Sequence, residues 1–427
     1  LFQRINTRLR AGGNASGIAF DFRSGALDPR ISFTRASAGW YFDSAGNLVQ
    51  ASTNEPRFDY DPATLQARGL LIEGSRTNGI RNPRLEGAVA GTPGTNPTNM
   101  VFSGPAGLTQ QIVEISTENN MNFVSVRWSG TTSASGRLSW FMESGGIIAA
   151  TVGQTFAASN FCKTVAGTYP TAGAIFSFAE QDATATTIAT GTVAVQAPFA
   201  SGTRISASRV SASYTMAQAT AAFVRPVWNS DTINSGVAVD VTIRFAAPQT
   251  ELGSFPTSPI FPAVGSPAAS TRAADNVSVA TLTPWFNPNE GTILVEYQRP
   301  FVGFNQFEVN FSDGTYGEFI GLYTSATNQI AEIRQGAASQ AGLVLEAGAG
   351  VNDRLNKKIL AYQVNNFAAS LNGAAPIVDT SGSVPIGLTT MRIGTFQGGS
   401  QFCSGWISRI AYYPTRLSNT TLQGLTS

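Results

Sequence analysis

Histidine is absent from all 427 residues. That removes the commonest general base, the usual activator of a serine or cysteine nucleophile and the commonest zinc ligand, so Ser–His–Asp, Cys–His and HExxH chemistries are excluded. Carboxylate-pair glycoside hydrolysis survives, since it needs only Asp and Glu about 5 to 10 Å apart. Asp59 and Asp61, or Asp379, are candidate oxygen donors for calcium. Two aspartates in a loop fall short of the several oxygens such a site gathers, so neither metal nor cofactor is expected. No GxxxxGK[ST], paired CxxC or basic-aromatic stripe occurs, which leaves nucleotide, zinc and nucleic-acid readings without support.

Sugar recognition is the chemistry that remains. Residues 307–312, the turn Asp313-Gly314 and residues 315–323 read as a hairpin whose two-residue turn sets Phe311 opposite Tyr316 and Phe307 opposite Ile320. The other face then carries Gln306, Glu308 and Asn310 beside Gly317, Phe319, Gly321 and Tyr323. Two glycines leave shallow room, two rings offer flat faces to pyranose C–H groups, and the amides and carboxylate suit paired hydroxyls. The same face also fits a solvated surface, or one buried against the opposite sheet or a partner chain. A further candidate is Phe141, which alternation places with Arg137, Ser139 and Glu143, away from Leu138, Trp140 and Met142. It reads as an exposed ring for sugar, as stray surface hydrophobicity or as an inter-subunit contact.

The elements that must position these groups are strands. With 43 glycines, 21 prolines and 27 phenylalanines against 5 methionines, the composition predicts an all-β protein rich in turns. The length allows two or three domains. Residues 1–30 read as an N-terminal arm, mobile or ordered by neighbouring chains, and 31–80 as a β-hairpin platform in which Trp40-Tyr41-Phe42 turns back into Leu48-Val49-Gln50. Residues 81–255 read as a β-sandwich with Val124, Val126, Trp128 and Trp140 in its core, and 284–427 as a second antiparallel sandwich. Between them, residues 256–283 form a Pro-rich linker in which Pro256, Pro259, Pro262 and Pro267 predict a semi-rigid spacer and a fixed relation between the sandwiches. Ser418 is placed to cap a short terminal helix carrying Leu422 and Leu425. Only 12% of residues are charged, 27 basic against 26 acidic, so no global field draws the chain to nucleic acid or an anionic membrane. There is no apolar run of about 18 residues for membrane insertion, and residues 1–13 lack the apolar core of a signal peptide. Cys162 and Cys403 lie on opposite sides of the linker and read as unpaired thiols.

The series LDPRISFTRAS (27–37), YFDSAGNLV (41–49), EPRFDYDP (55–62) and GLLIEGSRTN (69–78) resembles the N-terminal block of tail, fibre or minor virion proteins of tailed bacteriophages and prophages. PQTELGSFPTS (248–258) looks like the closing segment of the carbohydrate-binding-module-like sandwiches that precede a lectin-like domain in such proteins. KILAYQVNNFAASLNG (358–373), LTTMRIG (388–394) and GWISRIAYYPTRLSNTTLQGL (405–425) are similar to laminin-G/concanavalin-like jelly rolls. A glucanase of concanavalin-like fold would carry closely spaced carboxylates such as ExDxxE, and no such run occurs. The resemblance implies a non-enzymatic virion subunit of fibre, spike or tail-associated type, assembled in the bacterial host cytoplasm. Other virion proteins, host-surface polysaccharide and copies of itself, a trimer favoured, are the implied partners. The alternatives are a purely architectural subunit and a polysaccharide depolymerase.

Overall fold

Strands of alternating apolar and polar residues cover most of the chain and pair antiparallel into two β-sandwiches in the computed structural model, which describes residues 17–301, 305–347, 354–396 and 401–427. The C-terminal sandwich is built around Glu290–Gln298, flanked by Asn356–Gln363 and Gly405–Tyr413. Its sheet extends to Phe367–Leu371 and Ile377–Asp379 on one side and to Ala67–Ile72 and Phe58–Tyr60 on the other. The facing sheet runs Ser32–Thr34, Asn276–Val279, Thr390–Ile393, Gln306–Ser312, Phe319–Thr324, Asn328–Gln335 and Ala338–Ala347. Ser418 caps helix Asn419–Thr426 by accepting from Thr421 N–H, and Leu422 is fully buried beneath it.

The described residues 17–79 therefore do not form an arm and a separate platform. Ile18, Phe20 and Phe22 alternate inward and share one core with Phe33, Ile72, Ile293, Phe311 and Tyr412. Strand Ile18–Asp21 pairs with Gly405–Tyr413, placing Ile18 opposite Tyr412 and Asp21 opposite Arg409. The reason is burial: three large apolar side chains in five residues gain on the order of 1.5–3 kcal/mol each by entering a core. The arm reading of residues 1–16 lies outside the described residues. The hairpin Gly39–Phe42 with Leu48–Ala51 turns the other way, setting Leu48, Trp40 and Phe42 against Phe123 and Phe161 of the other sandwich.

That other sandwich is an insertion. One sheet runs Arg209–Thr215, Thr155–Gly167, Ala238–Leu252, Met121–Thr131 and Leu108–Glu118, and the facing one runs Thr187–Gln196, Gly173–Gln181, Phe223–Ser230, Ser139–Phe141 and Val101–Ser103. Trp128, Trp140 and Trp228 are fully buried between them around Phe245, with ring centroids 5.0 to 6.4 Å from it. Cys162 lies in this core and Cys403 in the C-terminal one, both as free thiols.

The chain leaves the C-terminal sandwich along Arg76–Asn78 and returns along Ser270–Arg272, and these two strands pair with each other. Beside this neck sits a buried ionic hub. Arg57 bonds Glu73 at 2.7 Å and Asp275 at 2.6 Å, Arg35 bonds Asp275 at 3.1 Å, and Arg272 reaches Glu73 at 3.0 Å. Ser258 donates its N–H to Glu73 Oε1 at 2.8 Å and its hydroxyl to Oε2 at 2.7 Å. Charges held out of water need partners of this quality, because each lone buried ion costs several kcal/mol (order of magnitude). The stretch expected to be a spacer is thus part of the packed interior: Thr257 donates to Glu251 at 2.7 and 2.5 Å, and Asn78 donates to Pro248 O and Ile260 O. Ser270–Arg272 and Asn276–Val279 within it are sheet strands, because their partners Arg76–Asn78 and Ser32–Thr34 lie alongside.

Candidate functional site

The hairpin face singled out for sugar is not a surface. The connection between Gln306–Ser312 and Phe319–Thr324 is six residues, 313–318, because Asp313 Oδ1 accepts the Thr315 N–H at 2.7 Å and its hydroxyl at 2.8 Å and widens the turn. Phe311 accordingly faces Ile320 rather than Tyr316. A bulge between Phe307 and Val309 then exchanges the faces beyond it, so Phe307 meets Tyr323 and Glu308 turns into the sandwich.

Inside, Glu308 bonds Lys358 Nζ at 3.0 Å, Arg299 at 3.3 Å and the Thr324 hydroxyl at 2.9 Å, while Gln306 donates to Cys403 O at 2.8 Å. Burial pushes the Lys358 ammonium down to about 8, with Glu308 opposing that shift. Asn310 donates to Thr395 O at 2.7 Å and is fully buried. Phe319 is also fully buried and Tyr323 nearly so, stacked with Phe307 and Phe396 in an aromatic cluster. No open stacking face remains there. Phe141 lies half-exposed in a shallow depression beside Glu143 and Met100, with the Arg225 guanidinium 5.0 Å over its ring. Asp379 serves its own loop, accepting from Ser381 N–H and hydroxyl. Among the described residues no group of three or more His, Cys, Asp or Glu is gathered as a metal would require.

The structure instead places a cleft of about 450 Å³ where the two sandwiches meet. Three segments far apart in the chain build it. The hairpin and strand Phe58–Tyr60 bring Tyr41 and Asp59; the inserted sandwich brings Phe161 and Arg209; strand Gly405–Tyr413 brings Trp406. Its floor is 255–259, tied down by the hub.

Trp406 is the most firmly oriented ring in the cleft. Its indole N–H donates to Asp59 Oδ2 at 2.7 Å, and the Arg68 guanidinium lies 4.2 Å above it while pairing with Asp61 at 2.8 Å. Asp59 Oδ1 accepts the Phe42 N–H at 2.6 Å. Burial drives the Asp59 carboxyl up to about 6, against the pull of the Phe42 N–H and Arg68. Burial also raises Asp61, but Arg68 and the Thr64 and Ala63 amides outweigh it and hold the carboxyl below its ordinary value. Tyr41 and Phe301 are half-exposed, the latter stacked on Phe255 with centroids 4.5 Å apart. The cleft thus offers the ring faces of Tyr41 and Phe301, the hydroxyl of Ser211 and one guanidinium at Arg209, while the Ser258 hydroxyl is taken up by Glu73, Arg57 and Arg272.

Of these residues, sequence reasoning marked Tyr41 only as part of a hairpin and Asp59 and Asp61 only as calcium donors. The signal that points to the cleft is the aromatic run Trp40-Tyr41-Phe42 in a turn-rich segment, with Trp406 at the start of an apolar strand. Nothing local says they meet.

A scan of family models finds no match, and no curated protein matches the chain. Among solved structures, the CBM40 module of Ruminococcus gnavus IT-sialidase bound to alpha2,3 sialyllactose is similar over 33% of this chain and 84% of that one, at 18% identity and a TM-score of 0.29. The NanB sialidase of Streptococcus pneumoniae is similar over 34% and 25% of the two chains, at 14% identity and 0.29. Domain 4 of AbnA, a GH43 extracellular arabinanase of Geobacillus stearothermophilus in complex with arabinotriose, is similar over 39% and 81%, at 11% identity and 0.28. At these scores the likeness carries no argument about what this chain binds.

Proposed function

We propose that this chain is a non-enzymatic structural subunit of a tailed bacteriophage or related particle, of fibre, spike or tail-associated type, and that it holds a host-surface glycan in the cleft between its sandwiches. The observation that carries the glycan reading is the cleft itself. Half-exposed Tyr41 and Phe301 rings and the Ser211 hydroxyl converge, beside the buried and anchored Trp406 indole, on one concave surface large enough for one or two sugar rings. The virion reading rests on the four ordered N-terminal motifs, which supply the strands and hairpin that build one wall of the cleft.

The non-enzymatic reading is supported by the carboxylates in the cleft. Asp59 is engaged by two N–H donors and Asp61 by Arg68, and histidine is absent from the chain. Single-site contacts of this kind are weak. Repetition in a homo-oligomer raises them through effective concentration, which suits a particle-borne protein.

Titration with polysaccharide from a host bacterium tests the reading. The wild type binds saturably, and Tyr41→Ala weakens binding by about two- to tenfold with the unfolding midpoint held. No saturable signal in any oligomeric form sinks the glycan part, and absence of the chain from purified particles sinks the virion part. Exposed Val364, Val378 and Ile386, at 54, 52 and 70%, favour a second reading in which the C-terminal sandwich packs against other virion subunits.

A further inference from the structure

Arginines crowd the neck and the cleft, and most of them have carboxylate partners. Arg35, Arg57 and Arg272 pair within the hub, and Arg68 pairs with Asp61. Arg209 differs. It stands on strand Arg209–Thr215 at the border of its sheet, opposite Phe161, and lines the cleft half-buried. Its side chain is held firmly: Nη1 donates to Thr257 O at 2.7 Å, and Nε and Nη2 donate to the Ser159 hydroxyl at 3.3 and 2.9 Å. The guanidinium also lies 5.5 Å from the Phe161 ring centroid. Among the described residues it forms no ion pair, and one hydrogen on each terminal nitrogen is left without a protein acceptor.

The neighbouring carboxylates cannot fill that role. Glu73 is engaged by Arg57, Arg272 and Ser258, and Glu251 accepts both groups of Thr257. Burial lowers the Arg209 pKa against the attraction of Glu251 and Glu73, yet a guanidinium stays charged in water and protein alike. One fixed, pre-oriented cation with two spare donors is therefore built into the wall of a cleft. On the other wall Asp61 is neutralised by Arg68, and both Asp59 oxygens are taken by the Phe42 amide and the Trp406 indole.

We infer that Arg209 is the anion-reading group of the cleft and that the saccharide held there carries a singly charged oxyanion, a uronic carboxylate or a phosphodiester. This rests on the glycan reading above. A single spare guanidinium matches one negative charge, and its planar fork offers two parallel N–H groups to two oxygens of the same group. Neutral rings of the same glycan stack on Tyr41 and Phe301, and the charge fixes which residue of the polymer sits beside Arg209.

The test uses the full chain and four probes: a uronic-acid-containing capsular polysaccharide, its carboxyl-reduced form, a glycerol-phosphate-linked wall polymer and a neutral glucan. The wild type should bind at least one acidic polymer about 10- to 100-fold more tightly than the neutral ones, the scale of one charge-assisted hydrogen-bonded pair. Carboxyl reduction removing that preference assigns the carboxylate; preference for the phosphate polymer assigns the phosphodiester. Arg209→Gln should abolish the preference, and Arg209→Lys should keep part of it. Ser211 is exposed, lines the cleft and lies two residues along the same strand, so Ser211→Glu should occupy the fork and weaken only the acidic probes while leaving every Arg209 bond intact. Equal binding of acidic and neutral polymers overturns the assignment of an anion and leaves the glycan reading standing. Retention of the preference in both Arg209→Gln and Ser211→Glu overturns the role of Arg209. Absence of saturable binding to all four probes overturns both.

Discussion

Replacing Glu73 by Gln tests what locks the two sandwiches together. The carboxylate is 4% exposed and sits between Arg57 at 2.7 Å and Arg272 at 3.0 Å, while Ser258 donates two further bonds. Burial by itself would raise its pKa. The two guanidinium groups and the Ser258 donors outweigh burial and hold it at about 2, below its ordinary 4.5. A carboxyl with a depressed folded-state pKa contributes stability that is complete above pH 4.5 and lost as pH falls toward 2. The depression corresponds to about 3 kcal/mol. Gln keeps the shape and one acceptor for the Ser258 N–H but removes the charge and the oxygen that accepts the Ser258 hydroxyl, leaving Arg272 without a carboxylate and Arg57 with Asp275 alone. Breaking buried pairs from one side costs about 3–5 kcal/mol, which brackets the linkage figure. Urea unfolding at pH 7 should therefore show the neck-containing transition weakened by that amount, and a pH series should show the variant losing the wild type's steepening between pH 4.5 and 2. A loss below about 1 kcal/mol with an unchanged acid slope would refute the view that this hub, rather than proline stiffness, sets the relation between sandwiches.

The Trp406 indole proton should titrate with a midpoint near pH 6 by NMR, because burial raises its acceptor Asp59 to about that value. The stability linked to Asp59 is complete below pH 3.8 and declines as pH rises through 6, opposite in sign to Glu73; a flat indole shift between pH 4 and 8 rules this out. Gly69→Ala should cost more than about 2 kcal/mol, since φ is +113° and a Cβ would sit 2.4 Å from Ile407 O, and an unchanged melting temperature contradicts the observed strand contact. Burial pushes both Cys162 and Cys403 up to about 12, so the native chain should resist a charged thiol reagent at pH 8 and react only on unfolding; fast labelling of either thiol argues against its core position.

Much of the strand content was legible because alternation reports which side chains share a face. Trp128 and Trp140 in a core, the Trp40-Tyr41-Phe42 hairpin and the Ser418 cap all follow from local pattern and agree with the structure. What alternation does not report is the partner. The pairing of Ile18–Asp21 with residues 409–412 spans nearly the whole chain, and neither segment carries a mark of the other. The sugar face failed for a different reason. The wider turn moved the register by an even number of residues, which preserves faces, but the bulge at Glu308 added one residue and reversed them for Gln306 and Glu308. Asn310, Phe319 and Tyr323 kept their shared face and were covered by Phe396 and Thr395, contributed from some 70 residues away or more. The cleft was invisible because its walls come from residues near 41, 161, 209 and 406, which only the inserted topology brings together.

Because Asn78 pairs with Ser270, the points where the inserted sandwich departs and returns lie one strand spacing apart, about 5 Å. A hairpin turn would bridge that gap. The C-terminal sandwich, which holds every other described strand before and after the neck apart from the hairpin Gly39–Phe42 with Leu48–Ala51, is thus a host whose two sheets take no strand from what is spliced between those two positions. Recombination at the neck could exchange the guest as a cassette, altering one wall of the cleft while Tyr41 and Trp406 stay with the host. Such an exchange would replace the cleft wall that carries Phe161 and Arg209 and leave both sheets of the host in place.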